Sequence, residues 1–100
     1  MIEMDGNITL VGFKELGHAE FVIVKQVVAA YGKKFSEKTP FTNLRLTLKP
    51  IHKTTDEVTK FEIKANLEID GTHYNAELVE HNLFVAIDTI LGKLESQLRI

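Results

Sequence analysis

The length, composition and charge of this chain describe one small globular domain and exclude several classes of protein. Its 100 residues are enough for one domain, residues 1–100, with a modest core, and too few for two ordinary domains. A content of 44% hydrophobic and 26% charged residues is typical of a globular protein. Twelve basic and 14 acidic side chains give a formal charge of -2, which argues against indiscriminate binding to nucleic acid or acidic membranes. The absence of cysteine excludes disulfides and Cys-ligated metal sites.

The first elements are a predicted strand and a predicted helix. The opening stretch MIEMDGNITLVGF matches neither a secretory signal nor a membrane span, and within it NITLVGF alternates as a short strand does, with Ile8 and Leu10 on one face. From Leu16 to Phe35 the period becomes helical. The apolar residues at that spacing are Phe21, Val24, Val27, Val28, Tyr31 and Phe35. Gly32 followed by two lysines indicates a helix near its end, and Lys38-Thr39-Pro40 ends it because proline cannot continue a helix.

Three antiparallel strands are predicted next, in NLRLTLKPIHK, KFEIKANLEID and THYNAEL, because apolar residues alternate with polar ones in each. The inward set is Leu44, Leu46, Leu48, Phe61, Ile63, Ala65, Leu67, Ile69, Tyr74, Ala76 and Leu78. Asp70-Gly71 predicts a tight hairpin, since a primed turn needs positive φ at both central residues. The outward positions of these strands are almost all polar, so one face of the sheet should meet water.

The last predicted helix lies in FVAIDTILGKLESQLR, residues 84–99. Its apolar stripe is Leu83, Ile87, Ile90, Leu91, Leu94 and Leu98, with Phe84 at the margin. Asn82 is a predicted N-cap, and Asp88 near the first turn suits the positive end of the helix dipole, which is a structural role. The predicted fold class is therefore α+β, in the order β-α-β-β-β-α, a four-stranded sheet with two helices packed on one face.

The segment NLFVAID, residues 82–88, followed by KLESQLR, residues 93–99, resembles the ribosome hibernation-promoting factor and ribosome-associated inhibitor family in its short form. The chain departs from the family pattern at Asn82, Phe84, Ser96 and Ile100. The resemblance implies a cytoplasmic protein that binds the small ribosomal subunit and its rRNA and inhibits translation under stress. It implies no enzymatic activity, no cofactor, no metal and no membrane partner.

The resemblance also implies which residues would bind rRNA. Lys93 and Arg99 match the family's basic positions and are the first candidates for phosphate contacts. Lys25, Lys33 and Lys34 are secondary candidates, because lysines near a helix C-terminus also favour its dipole. The alternative for all five is an ordinary surface charge, which is the favoured interpretation for Lys25, Lys33 and Lys34 but not for Lys93. The two helical regions together carry only about +1.

A different class of function stays open beside this one. Small and apolar residues on the expected outer helix surfaces suggest a non-enzymatic interaction protein of the same fold that forms a homodimer through its helices and does not bind ribosomes. The residues of that expected patch are Val22, Ala29, Ala30, Val85 and Gly92.

No catalytic or metal-binding pattern is present in the sequence. His18, His52, His73 and His81 are scattered, although His73 could lie near outward residues of another strand. The serines lie in no nucleophile elbow and the glycines form no phosphate-binding loop. The outward strand positions contain none of the aromatic residues on which an RNA-recognition sheet stacks bases.

Overall fold

A mixed five-stranded sheet with two helices forms the fold in this computed structural model, which describes residues 2–4, 6–14, 16–52 and 58–98. The elements are β1 (Ile2–Met4), β2 (Ile8–Val11), α1 (His18–Lys38), β3 (Asn43–His52), β4 (Val58–Ile69), β5 (Thr72–Glu80) and α2 (Leu83–Leu98). The strands lie side by side in chain order. Strands β2 and β3 are parallel, and every other neighbouring pair is antiparallel.

The prediction of a four-stranded sheet is wrong by one strand. Ile2 pairs with Leu10 and Met4 pairs with Ile8, so β1 adds an antiparallel edge to the predicted sheet. Ile2 and Met4 are half-buried and pack against the core. Three residues provide too little alternation to stand out in a sequence. The sequence did contain a weak signal for β1: the apolar residues Ile2 and Met4 stand two positions apart, and a turn residue, Gly6, follows them with a φ of 77°.

The core lies between one face of the sheet and both helices, as the polarity pattern predicts. Its strand members are Ile8, Leu10, Leu44, Leu46, Leu48, Ile63, Ala65 and Leu67. Its helix members are Val24, Val28, Phe35, Leu83, Ala86, Ile87, Ile90, Leu91 and Leu94. These side chains form one continuous cluster, so α1 and α2 cover the same face of the sheet. Neither helix, among the residues that the structure describes, is long and apolar enough to cross a membrane.

Helix α1 ends where the sequence predicts, but Gly32 has another role. The cap residue is Thr39, whose N–H donates to the carbonyl oxygen of Phe35 at 2.7 Å. Gly32 lies six positions before that end and is buried. A Cβ at Gly32 would lie 2.8 Å from Cδ1 of Ile8. The glycine therefore permits close approach of α1 to β2 and is not a helix-end signal.

The turn into β5 and the start of α2 are confirmed. Asp70 and Gly71 have φ values of 50° and 83°, as a primed hairpin turn requires. Oδ1 of Asn82 accepts hydrogen bonds from the N–H groups of Phe84 and Val85 at 2.9 and 3.1 Å. Asn82 thus satisfies two of the N–H groups that have no partner inside the helix.

Candidate nucleic-acid interface

The helix face, meaning the side of α1 and α2 that points away from the sheet, contains the described candidate residues. Two polar contacts join the helices across this face. Tyr31 donates its hydroxyl hydrogen bond to Oδ1 of Asp88 at 3.0 Å, and Nζ of Lys34 lies 2.5 Å from Oε2 of Glu95. We call these four residues the interhelical seam. The second contact lies closer to the C-terminus than the first on both helices, so α1 and α2 run parallel here.

The seam gives Tyr31 an unusual electrostatic environment. Partial burial raises the pKa of Tyr31 above its ordinary value of 10.0, and the hydrogen bond to Asp88 raises it further, as do the negative charges of Asp88 and Glu95. The phenol therefore stays protonated and keeps donating its hydrogen bond throughout the neutral range. Asp88 is the sixth residue of α2, and the first turn of that helix contains no acidic residue, so the predicted interaction with the helix dipole is wrong. Its structural contact is instead the hydrogen bond from Tyr31 on α1.

The two candidate lysines nearest the seam differ in their surroundings. Lys34 pairs with Glu95, and its Nζ also lies 5.7 Å from the ring centroid of Tyr31. Lys33 is exposed and borders a depression that includes Asn7 and Ser36. Among the described residues, Lys33 has no ion pair. Lys33 is thus the more available of these two cations.

The other three candidates do not join them in a cluster. Lys25 is half-buried, with its Nζ 5.0 Å from the ring centroid of Phe21. Lys93 is exposed on α2, five residues after Asp88 and so about 140° around the helix from the side that faces α1. Arg99 lies outside the described residues. The described cations are therefore spread over different sides of the helix layer.

The apolar residues on the helix face also differ from the predicted set. Val22 and Ala29 line a depression with Met4, on the side of α1 nearest the first strands. Val22 lies nine residues before Tyr31, about half a turn around α1 from the side that meets α2. The five residues expected to form one patch are therefore separated.

Three large apolar side chains are exposed on the helix face: Val85 at 48%, which belongs to the predicted patch, and Ile23 at 43% and Phe84 at 38%, which do not. Phe84 lies one turn before Asp88, and Ile23 lies about two turns before Tyr31, so the parallel helices place both beside the start of the seam. The exposure of Ile23 was not predicted from the sequence, because helical periodicity alone does not show where the neighbouring helix stops covering α1.

The open face of the sheet presents a second polar surface that sequence reasoning did not single out. A shallow depression of about 590 Å³ runs across three strands, and its lining residues are Arg45, Thr47, Lys64, Ala65, Asn66, Asn75, Ala76 and Glu77. Nδ2 of Asn66 donates to Oδ1 of Asn75 at 2.7 Å, and Nδ1 of His73 lies 3.2 Å from Oδ1 of Asn66. The prediction that His73 lies near another strand's outward residues is confirmed. None of the lining residues is aromatic.

In the described part of the chain, no group of three or more His, Asp or Glu side chains is placed to hold a metal ion. The features available for binding are therefore exposed lysines, a small apolar surface and the polar open sheet. This set suits contacts with a large polar partner through charge and shape.

Fold and surface together define an α+β domain whose mixed sheet has two parallel helices on one face and an open polar face on the other. The same fold occurs in a ribosomal subunit interface protein from Coxiella burnetii, with a TM-score of 0.65 and 20% sequence identity. That likeness covers 93% of this chain and 91% of the Coxiella protein. It also occurs in the N-terminal domain of Protein Y from Thermus thermophilus, with a TM-score of 0.54, 18% identity and 94% coverage of both chains.

At these identities the likeness shows the fold, and it confirms the arrangement that the sequence resemblance implied. No protein-family model and no curated protein sequence matches the chain.

Proposed function

We propose that this protein binds the ribosome, docks on rRNA of the small subunit through its helix face, and inhibits translation under stress. The observation that carries the proposal is the fold shared with a ribosomal subunit interface protein over 93% of this chain. The KLESQLR segment supports it independently, because that resemblance was found in the sequence. The proposed action is steric, in the cytoplasm, and needs neither a cofactor nor a catalytic step.

The charge of the helix face predicts how such binding behaves. The described helices carry five lysines against four carboxylates, a net charge of +1. Lys33 and Lys93 are exposed, whereas Lys25 is half-buried with its ammonium group over the ring of Phe21 and would have to leave that ring to reach a phosphate. Two or three phosphate contacts are therefore expected, with the remaining affinity supplied by shape and uncharged contacts.

Co-sedimentation of the purified protein with isolated small ribosomal subunits across a salt series tests this proposal. We expect pelleting at low salt, with log affinity falling against log salt concentration at a slope of about -1.5 to -2.5, since each phosphate contact contributes about -0.7 to -0.9. Absence of pelleting at low salt would reject ribosome binding. Pelleting with no salt dependence would reject phosphate contacts and indicate contacts with ribosomal proteins.

One observation favours a second candidate function, a homodimer formed through the helices. Ile23, Phe84 and Val85 are large, apolar and exposed on the helix face, although isolated exposed apolar residues are also common on monomers. Size-exclusion chromatography of the free protein separates the two candidates. A stable dimer that does not pellet with subunits would support the interaction protein, and a monomer that pellets would support the ribosome-binding function.

A further inference from the structure

We propose that Glu95 limits the affinity of the helix face for RNA phosphate by pairing with Lys34. The choice of RNA as the partner rests on the proposed function. Glu95 lies inside the KLESQLR segment but was not among the candidate binding residues. The inference predicts an unusual result: removing one carboxylate should release a cation that already lies at the surface.

The geometry of Lys34 supports the inference. Its Nζ lies 2.5 Å from Oε2 of Glu95, while half of the Lys34 side chain and about a quarter of the Glu95 side chain are exposed, at 50% and 26%. The Lys34 side chain therefore reaches solvent, although the Glu95 oxygen that it contacts is itself buried. A phosphate could reach Lys34 there only in competition with a carboxylate that is already in place.

Contacts within the seam also fix the direction in which the Lys34 side chain points. Its ammonium group lies 5.7 Å from the ring centroid of Tyr31, and the Tyr31 hydroxyl is itself bonded to Asp88. The aromatic ring and the Glu95 carboxylate both draw Lys34 towards α2. At the range of an approaching phosphate the field of Lys34 is largely cancelled by that of Glu95, so Lys34 adds little to binding.

The fold should survive removal of the Glu95 charge. Because half of the Lys34 side chain is exposed, the pair contributes little to stability even though Oε2 of Glu95 is buried. The helices stay joined by the buried apolar stripe and by the Tyr31–Asp88 hydrogen bond. Glu95→Gln keeps the size and shape of the side chain and removes its charge. Thermal unfolding of each variant provides the check that it remains folded.

The test compares Glu95→Gln with Glu20→Gln in binding to fluorescein-labelled oligouridine RNA across a salt series. Both substitutions add the same charge to the helix layer, but Glu20 is exposed in the first turn of α1, 14 residues before Lys34 and so about 21 Å away along the helix. Glutamine keeps the side-chain oxygen that accepts a hydrogen bond from the N–H of Gly17. We expect Glu95→Gln to tighten low-salt binding about threefold to tenfold and to steepen the salt slope by about 0.7, the contribution of one single-stranded phosphate contact. Glu20→Gln should change affinity less than about twofold and leave the slope unchanged.

Substitutions of Lys34 complete the test. Lys34→Gln added to Glu95→Gln removes both charges of the pair, so it should abolish the gain and return the affinity to within about twofold of that of the natural chain. Equal gains from Glu95→Gln and Glu20→Gln would overturn the inference. A double variant that keeps the gain, or undetectable binding of Glu95→Gln to oligouridine at low salt, would also overturn it.

Parallel co-sedimentation with small ribosomal subunits separates this inference from the proposed function. If Glu95→Gln gains affinity for oligouridine while no form of the protein pellets with subunits, the proposed function fails and the role of Glu95 stands. If the natural chain pellets and the two Gln variants behave alike on both partners, the function stands and the role of Glu95 fails.

Discussion

Gly12 is the residue at which backbone conformation and packing together demand glycine. It follows β2 with a φ of 82°, and a Cβ there would lie 2.2 Å from the backbone carbonyl oxygen of Leu48. Gly71 has almost the same φ, 83°, but an added Cβ would meet no heavy atom within 4 Å. Comparing substitutions at Gly12 and Gly71 therefore distinguishes the cost of backbone strain from the cost of steric overlap.

We expect Gly12→Ala to lower the free energy of unfolding by roughly 3 kcal/mol or more, because a backbone atom cannot move aside as a side chain can. Gly71→Ala should cost about 1–2 kcal/mol, the strain of the left-handed conformation alone. Urea unfolding of the two variants and the natural chain measures the difference. Equal losses would show that the contact with Leu48 relaxes at no cost.

Asn82 and Gly32 show which residue roles are predictable from sequence. Asn82 was predicted as an N-cap because capping depends on neighbours a few positions away, and the structure confirms it. Gly32 was interpreted as a helix-end signal, whereas it is buried because Ile8 approaches it from β2. A contact between residues far apart in the chain leaves no local pattern.

At the scale of elements, the interhelical seam holds α1 against α2 above the shared core. Tyr31 and Asp88 are 57 residues apart in sequence, and their hydrogen bond joins the middle of one helix to the first half of the other. The raised pKa of Tyr31 links this contact to pH. The phenol is protonated in the folded state at pH values where an unfolded chain would begin to ionise it.

Tyr31→Phe should lower the free energy of unfolding by about 1 kcal/mol near neutral pH, because it removes one hydrogen bond to a carboxylate. A raised pKa adds stability that is fully present below the ordinary value of 10.0 and is lost as pH rises through the higher folded value. The natural chain should therefore lose stability faster than Tyr31→Phe above pH 10.0, and the difference between them should shrink.

Urea unfolding at pH values about one unit below and one unit above 10.0 measures that difference. Tyr74→Phe, which alters the other tyrosine on the strand side of the core, is the matched control. A stability difference between the natural chain and Tyr31→Phe that stays constant across this range would contradict the assigned environment of Tyr31.

For the whole molecule, the question is which of its two broad faces meets a partner. The helix face carries exposed Lys93, and the open sheet face carries exposed Lys49 on β3. Both are single cations in well-formed elements, so reversing either one makes the same change in net charge. The proposed function predicts that only one of the reversals matters.

Lys93→Glu should weaken binding to small ribosomal subunits about tenfold at low salt, because it replaces a phosphate contact with a repulsion. Lys49→Glu should change affinity less than about threefold, through net charge alone. Co-sedimentation measures both, with thermal unfolding to confirm that neither variant is destabilised. Equal losses would remove Lys93 as a specific contact, and a larger loss from Lys49→Glu would move the interface to the sheet.

The sequence by itself determined the α+β class, the two helices, four of the five strands, the Asp70-Gly71 turn and the cap at Asn82. Alternation, helical period, turn and cap are properties of neighbouring residues, so they can be read along the chain. Only the tertiary structure showed the pairing of β1, the tight approach at Gly32, the pairing of Lys34 with Glu95 and the exposure of Ile23. Each of these depends on which distant segments meet, and burial and charge pairing are decided when the layers pack together.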